Sequence, residues 1–436
     1  MTKQATLPIE HPRPDPASEQ GRRARPVRAR LTRVSAIVAV LGLALLFGPW
    51  VAAVVGARST GAFENRKLAT MPALTSGWRF FPRLTTWADD NFPLKDDAVR
   101  LESRLSFDVF GQLPRFGIGA GDSGVPIGAH SGGAAAPRQT GIGGVIFGQN
   151  GALFLSLDFE RACHPRMTPA HVVRNLSRLA AIVARAGGRL IDTVAPDKTA
   201  IEPGLLPVSS PEQSCGRSGQ LAFWSAITAR PPPGYFDAYD AVRSYASTAH
   251  AQVYAQLDTH WLPRVSAIYA FGLARLIAPR LLDDTKLVYT GQVRTVGDLS
   301  RLAGDPRDDV YGNYAVRRTG EGRVSIRSAR VGKLSVEIYS ASSTRAPLEA
   351  GQAVVFGDSF SRVSAPMLTP FFSRLVMSTT GPDGGDVADT AKLIVQSKVV
   401  IVEGVERALA TGWVARLTDT YLNELSAAVN ADLASR

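Results

Sequence analysis

The pattern of hydrophobic and polar positions changes sharply after residue 55. Residues 34–55 form a run of 22 residues without a charge, which at about 1.5 Å per residue can cross a hydrocarbon core of about 30 Å. Few soluble helices are apolar on every side over this length, so the run predicts a transmembrane helix. A cleaved signal peptide is the alternative. The run exceeds the usual length and Val55-Gly56-Ala57 is a weak cleavage pattern, so we favour an uncleaved anchor.

From residue 145 onward, short apolar runs alternate with amphipathic segments. A hairpin is expected around Gln149-Asn150-Gly151, and an amphipathic helix at 168–186 that ends at two glycines. Further strands are predicted at 189–194, 251–257, 353–356 and 398–402, and further helices at 265–277, 362–373 and 417–433. This alternation indicates an α/β fold with a mainly parallel sheet flanked by helices. Residues 287–349 contain more β-like stretches, such as 332–340, that the pattern does not place.

Between the apolar run and this domain lie two segments of different character. Helical stretches are predicted at 80–92 and 96–110, whereas 117–144 holds ten glycines in 28 residues and is expected to be a flexible loop. The resulting organisation has five segments: a basic disordered tail at 1–33, an anchor at 34–55, a juxtamembrane segment at 56–116, the glycine-rich loop at 117–144 and an α/β domain at 145–436.

Charge refines this organisation. The 436 residues include 49 Lys+Arg and 38 Asp+Glu, a net charge of +11, with 45% hydrophobic residues, as in globular proteins. Residues 1–33 alone carry +5 (eight basic against three acidic residues), which predicts a cytoplasmic N-terminus and an extracytoplasmic domain beyond the anchor. The remaining +6 is spread too thinly to indicate nucleic-acid binding.

Two cysteines are too few for a disulfide scaffold or a Cys-rich zinc site. Outside the cytoplasm, Cys163 and Cys215 would meet an oxidising compartment, so a disulfide between them is a candidate. Two buried free thiols are the alternative.

Candidate chemistry follows two predicted strands. Gly357-Asp358-Ser359 comes directly after the strand at 353–356, where a serine can lie at a helix N-terminus beside free backbone N–H groups. A simple helix cap is the competing reading. Asp258 and His260 follow the predicted strand at 251–257 and can converge so that the carboxylate orients the imidazole.

For the Asp258–His260 pair, a solvated loop or a metal-ligand pair are the alternatives, and a metal is disfavoured because no second His or Asp cluster accompanies it. Of the six histidines, His260 alone follows a predicted strand end with an acid two residues earlier. If the chain is a serine-dependent enzyme, His260 is the natural base.

These residues belong to a series of ordered motifs that resembles the alginate O-acetyltransferase family of AlgJ and AlgX. The matching segments are ENRKLA at 64–69 with Pro72, DDNFPLK at 89–95, VIFGQNGALF at 145–154, APDK at 195–198, DTHW at 258–261, GDSF at 357–360 and Glu406-Arg407. The sequence departs from the family pattern at Asn91, Lys95 and Ala152, which argues against assuming alginate as the polysaccharide. Cys163 and Cys215 also occupy positions where relatives carry cysteines.

The resemblance implies an SGNH-hydrolase-like catalytic domain at 145–436 and a triad of Ser359 as nucleophile, His260 as base and Asp258 as orienting acid. The backbone N–H of Ser359 is expected to stabilise the oxyanion. Asp358, Lys198 and Trp261 are expected to bind substrate or support the site, with structural roles favoured for the first two and core packing as the default for the tryptophan.

In function, the resemblance implies an O-acetyltransferase that needs no cofactor or metal and acts on a cell-surface or exported polysaccharide. It also implies a membrane-bound O-acyltransferase as the acetyl donor. The location expected is the inner or cytoplasmic membrane, crossed once, with the catalytic domain outside the cytoplasm. A carbohydrate acetylesterase with the same triad and a non-catalytic polysaccharide-binding assembly protein are the alternatives.

Overall fold

The computed structural model describes scattered positions from 36 to 56 and then residues 69–93, 144–206, 211–303, 305–378, 386–409 and 417–436. Several predicted features therefore lie outside the described residues: the basic tail, the helix at 96–110, nearly all of the glycine-rich loop, residues 64–68 and Lys95. The chain divides into two units, Met1–Ala57 and Arg58–Arg436.

Half of the expected membrane helix at 34–55 falls on positions that the structure does not describe. Among the positions it does describe, no helix combines the length and the apolar character that a membrane crossing requires.

The larger unit is built around a six-stranded sheet with the order β3-β10-β8-β9-β7-β6. The strands of the described residues are β1 (Val145–Phe147), β2 (Leu153–Leu155), β3 (Arg189–Ala195), β4 (Thr285–Val296), β5 (Asp308–Arg318), β6 (Ser325–Val331), β7 (Leu334–Ser340), β8 (Glu349–Phe356), β9 (Phe372–Ser378) and β10 (Ser397–Val405). β1 pairs with β2, and β4 with β5, in two separate antiparallel ribbons.

The main sheet is mixed, which corrects the expectation of a mainly parallel one. β3, β10, β8 and β9 run parallel to one another, whereas β7 pairs antiparallel with β9 and β6 pairs antiparallel with β7. β6 and β7 are joined only by Gly332-Lys333, with the glycine at φ +56°, and so short a connection forces antiparallel strands. The unplaced β-like stretch at 332–340 is thus a sheet strand.

The helices of the described residues are α1 (Phe80–Asp90), α2 (Leu157–Cys163), α3 (Pro169–Arg185), α4 (Lys198–Ile201), α5 (Pro211–Ala229), α6 (Ala238–Ala249), α7 (Pro263–Ile277), α8 (Asp298–Leu302), α9 (Ser359–Leu368), α10 (Val387–Val395), α11 (Glu406–Leu409) and α12 (Asp419–Ala434). Seven of them cover the two faces of the main sheet. One core lies under α3, α5, α10 and α12, and a second under α6, α7 and α9. Successive β8 residues alternate between the two cores, as expected for a strand buried on both faces.

A disulfide joins α2 to α5. Cys163 and Cys215 are bonded, with their Cα atoms 5.3 Å apart. The two helices also approach closely at Gly216 and Gly219, because a Cβ on Gly219 would lie 2.1 Å from the Ala162 carbonyl oxygen.

The structure confirms the hairpin around Gln149-Asn150-Gly151 and the helix at 168–186, which runs from Pro169 to Arg185. The strand at 251–257 is wrong: apart from an isolated bridge between Tyr254 and Trp261, this segment is a loop. The helix at 362–373 is also wrong at its end, because α9 stops at Leu368 and Phe372 begins β9.

Candidate active site

Three parallel strands, β3, β10 and β8, end side by side, and the turns that follow them carry most of the predicted motifs. Asp197-Lys198 follows β3, Glu406-Arg407 follows β10 and Gly357-Asp358-Ser359 follows β8. The carboxyl edge of a parallel sheet is where ligand sites form in α/β folds, so the topology itself brings these motifs together.

The β8–α9 turn presents Ser359 as the first residue of α9. Asp358 caps the helix: its Oδ1 accepts from Phe360 N at 2.8 Å, and its Oδ2 accepts from Val405 N on β10 at 2.8 Å. Asp358 is thus fully occupied in fixing the turn, which is a supporting role.

Glu403 on β10 also fixes the β8–α9 turn through hydrogen bonds. Its Oε2 accepts from Asp358 N at 3.2 Å, from Ser361 N at 3.1 Å and from Ser361 Oγ at 2.6 Å. A Cβ on Gly357 would lie 2.3 Å from Ser361 Oγ, so this arrangement requires glycine there. Burial and then the negative charge of Asp358 raise the pKa of Glu403.

These contacts leave one N–H of the turn available. The N–H groups of 358, 360 and 361 all donate to carboxylates, whereas within the described chain no acceptor is seen for the N–H of Ser359. The first N–H groups of a helix have no intrahelical acceptor. The Ser359 N–H is therefore suited to an oxyanion.

The DTHW segment places His260 against Asp258. His260 Nδ1 lies 2.7 Å from Asp258 Oδ1, which also accepts from His260 N at 2.9 Å. Burial alone would raise the pKa of Asp258, but the hydrogen bonds and charge of His260 outweigh it and lower that pKa to about 2. Burial alone would lower the pKa of His260, but Asp258 and then Asp298 reverse this effect and raise it.

The other nitrogen of His260, Nε2, is buried and has no hydrogen-bond partner among the described residues. The imidazole packs on Phe360, with ring centroids 5.0 Å apart, and Phe360 directly follows Ser359. The structure thus brings the predicted base to the turn that carries the predicted nucleophile. No hydrogen bond joins Ser359 to His260 among the described residues.

Lys198 holds the main chain of the loop that carries His260, residues 251–262, which we call the histidine loop. Its Nζ donates to the carbonyls of Ala255 at 2.6 Å, Gln256 at 2.9 Å and Asp258 at 3.4 Å. Burial lowers the pKa of Lys198, with Glu202 opposing that shift. Since these carbonyls use its donors, Lys198 supports the loop from inside the protein.

Trp261 also supports the site. It is buried, its Nε1 donates to Ser364 Oγ at 3.1 Å, and its ring meets Phe360 edge-on at 5.0 Å. Trp261 therefore ties the histidine loop to α9 and has no exposed face to offer a sugar.

Glu406-Arg407 and Asp197 form a buried network beneath the turns. Glu406 Oε2 accepts from Asp197 N at 3.0 Å, and Arg407 pairs with the carboxylates of Asp197 and, at 3.4 Å, Asp158 of α2. Although burial opposes it, the two carboxylates raise the pKa of Arg407 further above its usual value. The late Glu-Arg motif thus anchors the Asp-Lys motif rather than facing solvent.

Asp298, the first residue of α8, is a site residue that sequence reasoning missed. It contacts both Asp258 and Thr259, and its Oδ2 lies 3.7 Å from His260 Nδ1. The sequence shows no second His or Asp cluster near Asp258 and His260, but the fold brings one distant acid, Asp298, to them. The three side chains could approach a cation together, but all four carboxylate oxygens already accept hydrogen bonds or an imidazole contact from the chain itself.

A model of the family described as "SGNH hydrolase-like domain, acetyltransferase AlgX" matches residues 145–398, more than half of the chain. The chain belongs to this family. Membership in the AlgX family confirms the resemblance drawn from the motifs and supports an O-acetyltransferase of the AlgJ and AlgX type.

Solved structures give more distant likenesses. The O-acetyltransferase domain of Pseudomonas putida AlgJ is 17% identical, with a TM-score of 0.44 over 65% of this chain and 99% of that one. Pseudomonas aeruginosa AlgX is 16% identical, with a TM-score of 0.40 over 67% of each chain. Bacillus cereus PatB1 is 10% identical, with a TM-score of 0.44 over 63% of this chain and 99% of that one. No curated protein matches the chain.

Proposed function

We propose that this chain is a serine-dependent O-acetyltransferase that moves an acetyl group through acetyl-Ser359 to a hydroxyl of a cell-surface or exported polysaccharide. The observation that carries the proposal is the environment of His260. Its Nδ1 is bonded to Asp258 at 2.7 Å, while its Nε2 is buried without a partner beside the turn that carries Ser359. A histidine held this way has one orientation and one nitrogen left to take a proton.

In the first half-reaction, Ser359 Oγ attacks the carbonyl carbon of the acetyl donor while His260 Nε2 takes the hydroxyl proton. The Ser359 N–H donates to the oxyanion, and the bond to the leaving group breaks as His260 returns the proton to it. In the second half-reaction, a sugar hydroxyl loses its proton to His260 and attacks the acetyl carbon. Ser359 Oγ then leaves and recovers that proton. Asp258 stabilises the imidazolium that forms in both halves.

The family likeness supports a membrane-bound O-acyltransferase as the acetyl donor. The uncharged run at 34–55, the arginine-rich tail before it and the Cys163–Cys215 disulfide support a single-pass anchor with the catalytic domain outside the cytoplasm. A reporter enzyme that is active only outside the cytoplasm, fused after residue 436, should be active in cells. If that fusion is inactive and a reporter that is active only in the cytoplasm works at the same position, this location is refuted.

The reaction is tested with the full-length chain and an activated acetyl ester, with and without an oligosaccharide of mannuronate or of glucose. Ser359→Ala should abolish acetate release and remove the acetylated peptide from a mass spectrum of the trapped enzyme. Retained turnover would show that the triad assignment is wrong. Ser361→Ala is not a suitable control, because the Ser361 side chain binds Glu403. Ser225→Ala, an exposed serine of α5, is the matched control.

The acceptor distinguishes the transferase from the acetylesterase. Acetylated oligosaccharide supports transfer, because the sugar hydroxyl has then replaced water as the attacking group. Acetate release that neither oligosaccharide changes supports the esterase instead. An enzyme that binds the oligosaccharides and releases no acetate would favour the non-catalytic assembly protein.

A further inference from the structure

We infer that Asp298 is a positioning residue for the triad: it fixes the Asp258 carboxylate and the main chain of Thr259, and so directs His260 Nε2 toward Ser359. The inference rests on the proposed function, because it assigns a role within the same Asp-His-Ser site. Asp298 lies 38 residues beyond His260 in the sequence and belongs to a different element, α8.

Asp258 binds the main chain of Asp298, and the side chain of Asp298 binds Thr259, the residue after Asp258. The N–H of Asp298 donates to Asp258 Oδ2 at 3.0 Å. In return, Asp298 Oδ1 accepts from Thr259 N at 2.8 Å, and Asp298 Oδ2 accepts from Thr259 Oγ1 at 2.5 Å. Because Asp258 Oδ1 bonds His260, both oxygens of Asp258 are engaged, and the carboxylate has no freedom to rotate away from the imidazole.

The start of α8 docks tightly on the same loop. The N–H groups of Leu299 and Ser300 both donate to the Leu257 carbonyl, at 3.1 and 3.2 Å. A Cβ on Gly297 would lie 2.2 Å from that carbonyl oxygen, so the approach requires glycine. The histidine loop therefore supplies acceptors for the first N–H groups of α8, which a helix needs in any case. Asp298 is held where it can act only through this loop.

β5 adds a second attachment from the same part of the chain. Asp309 Oδ2 accepts from Leu257 N at 2.7 Å, and Ser300 Oγ accepts from Arg307 N at 3.0 Å. Residues 297–303 and 305–309 thus support the segment 257–260 from one side. The support reaches His260 through Asp258 and Thr259, and it does not pass through Ser359 or α9.

Asp298 also contributes charge. The charged groups that face His260 are Asp258, Asp298 and, from the β10 side, Arg407. With Oδ2 at 3.7 Å from Nδ1, Asp298 adds a second negative charge that favours the imidazolium. Loss of this charge should weaken the base even where the hydrogen bonds survive, a result that a purely structural role would not give.

Two substitutions in the full-length chain separate position from charge. Asp298→Asn keeps an oxygen for Thr259 N but loses the charge, and Asp298→Ala loses both. With 4-nitrophenyl acetate, kcat should fall about tenfold for Asp298→Asn and about 10²-fold for Asp298→Ala, since a misplaced catalytic group can cost that much. KM for the small ester should change little. The acid limb of kcat/KM should move to lower pH in Asp298→Asn.

Asp240→Asn is the matched control, because this exposed acid of α6 lies outside the support and faces exposed Arg243 at 3.9 Å. The rate at which a sulfonyl fluoride labels Ser359, followed by mass spectrometry against pH, gives a second readout on folded protein if Asp298→Ala is unstable. A wild-type pH profile and labelling rate in Asp298→Asn would overturn the inference. Ester turnover that survives Ser359→Ala would instead overturn the proposed function, so the two failures are distinguishable.

Discussion

At the residue scale, the proposed mechanism makes the charge of Asp258 control the pH at which His260 acts as a base. Burial would lower the pKa of His260, yet Asp258 and Asp298 raise it above its ordinary value of about 6.5. A raised pKa keeps the imidazole protonated to higher pH. Activity is therefore present above that pKa and is lost as the pH falls through it.

Asp258→Asn should shift this dependence and lower the rate. Removal of the carboxylate lowers the pKa of His260, so the acid limb of kcat/KM should move to lower pH. The plateau should fall by about 10⁴-fold, the size of effect known for the acid of such triads. Asp240→Asn, an exposed acid of α6, is the control. An unchanged acid limb would mean that Asp258 does not set the basicity of His260.

Residue by residue, the sequence predicts the part of the site that lies in short motifs. Asp258 and His260 are two residues apart, and Ser359 follows an apolar strand, so local pattern suffices for each. Asp298 could not be found this way, because half of its role depends on its main-chain N–H and on Gly297 touching Leu257. No periodicity or motif reports a contact of that kind.

At the scale of elements, the disulfide links α2 to α5, and α2 in turn contacts the network beneath the candidate site. α2 carries Cys163 at its end and also Asp158, which pairs with Arg407 of α11, directly after β10. The glycines at 216 and 219 let α5 lie close enough to α2 for the bond. The same glycines interrupt the apolar periodicity of α5, and the sequence pattern did not predict this helix.

Replacement of both cysteines by serine should lower the free energy of unfolding by about 2–4 kcal/mol, because the bond closes a long loop in the unfolded chain. Its ends are 52 residues apart. Urea titrations with and without a reductant measure this. The reductant should bring the wild-type midpoint down to that of Cys163→Ser/Cys215→Ser and leave the variant unchanged. Equal midpoints for the oxidised wild type and the variant would contradict the prediction.

The wrong strand at 251–257 has a clear physical origin. Val253, Ala255 and Leu257 alternate with more polar neighbours and are buried, which is the pattern of a half-buried strand. Their main chain, however, bonds to side chains of Lys198, Glu202 and Asp309 rather than to a neighbouring strand. The burial was predictable from sequence, but the partners of the backbone were not.

At the scale of the whole molecule, the site is assembled from six separated stretches of chain: α2, the turns after β3, β8 and β10, the histidine loop and α8. Hydrogen bonds between these stretches join residues that are 39 to 249 positions apart. Such non-local contacts form late, after the chain entropy of closing them has been overcome. The site should therefore exist only in the fully folded unit.

Loss of activity in urea should accordingly coincide with the loss of tryptophan fluorescence that reports global unfolding. On dilution from urea, acetate release should return with the slowest refolding phase. Both are measured on the same samples of full-length chain. Activity that disappears at a lower urea concentration than the fluorescence change would show that the histidine loop opens on its own.

The docking of Gly297 on Leu257 also bears on how this site could be exchanged or redesigned. The DTHW motif is short enough to transplant, but its geometry is held by a second segment whose backbone fits only against this loop. A chimera that takes residues 254–261 from a relative separates them from the residues that orient them. A working graft has to include 297–309 as well, so the unit that must be moved is a pair of segments and not a motif.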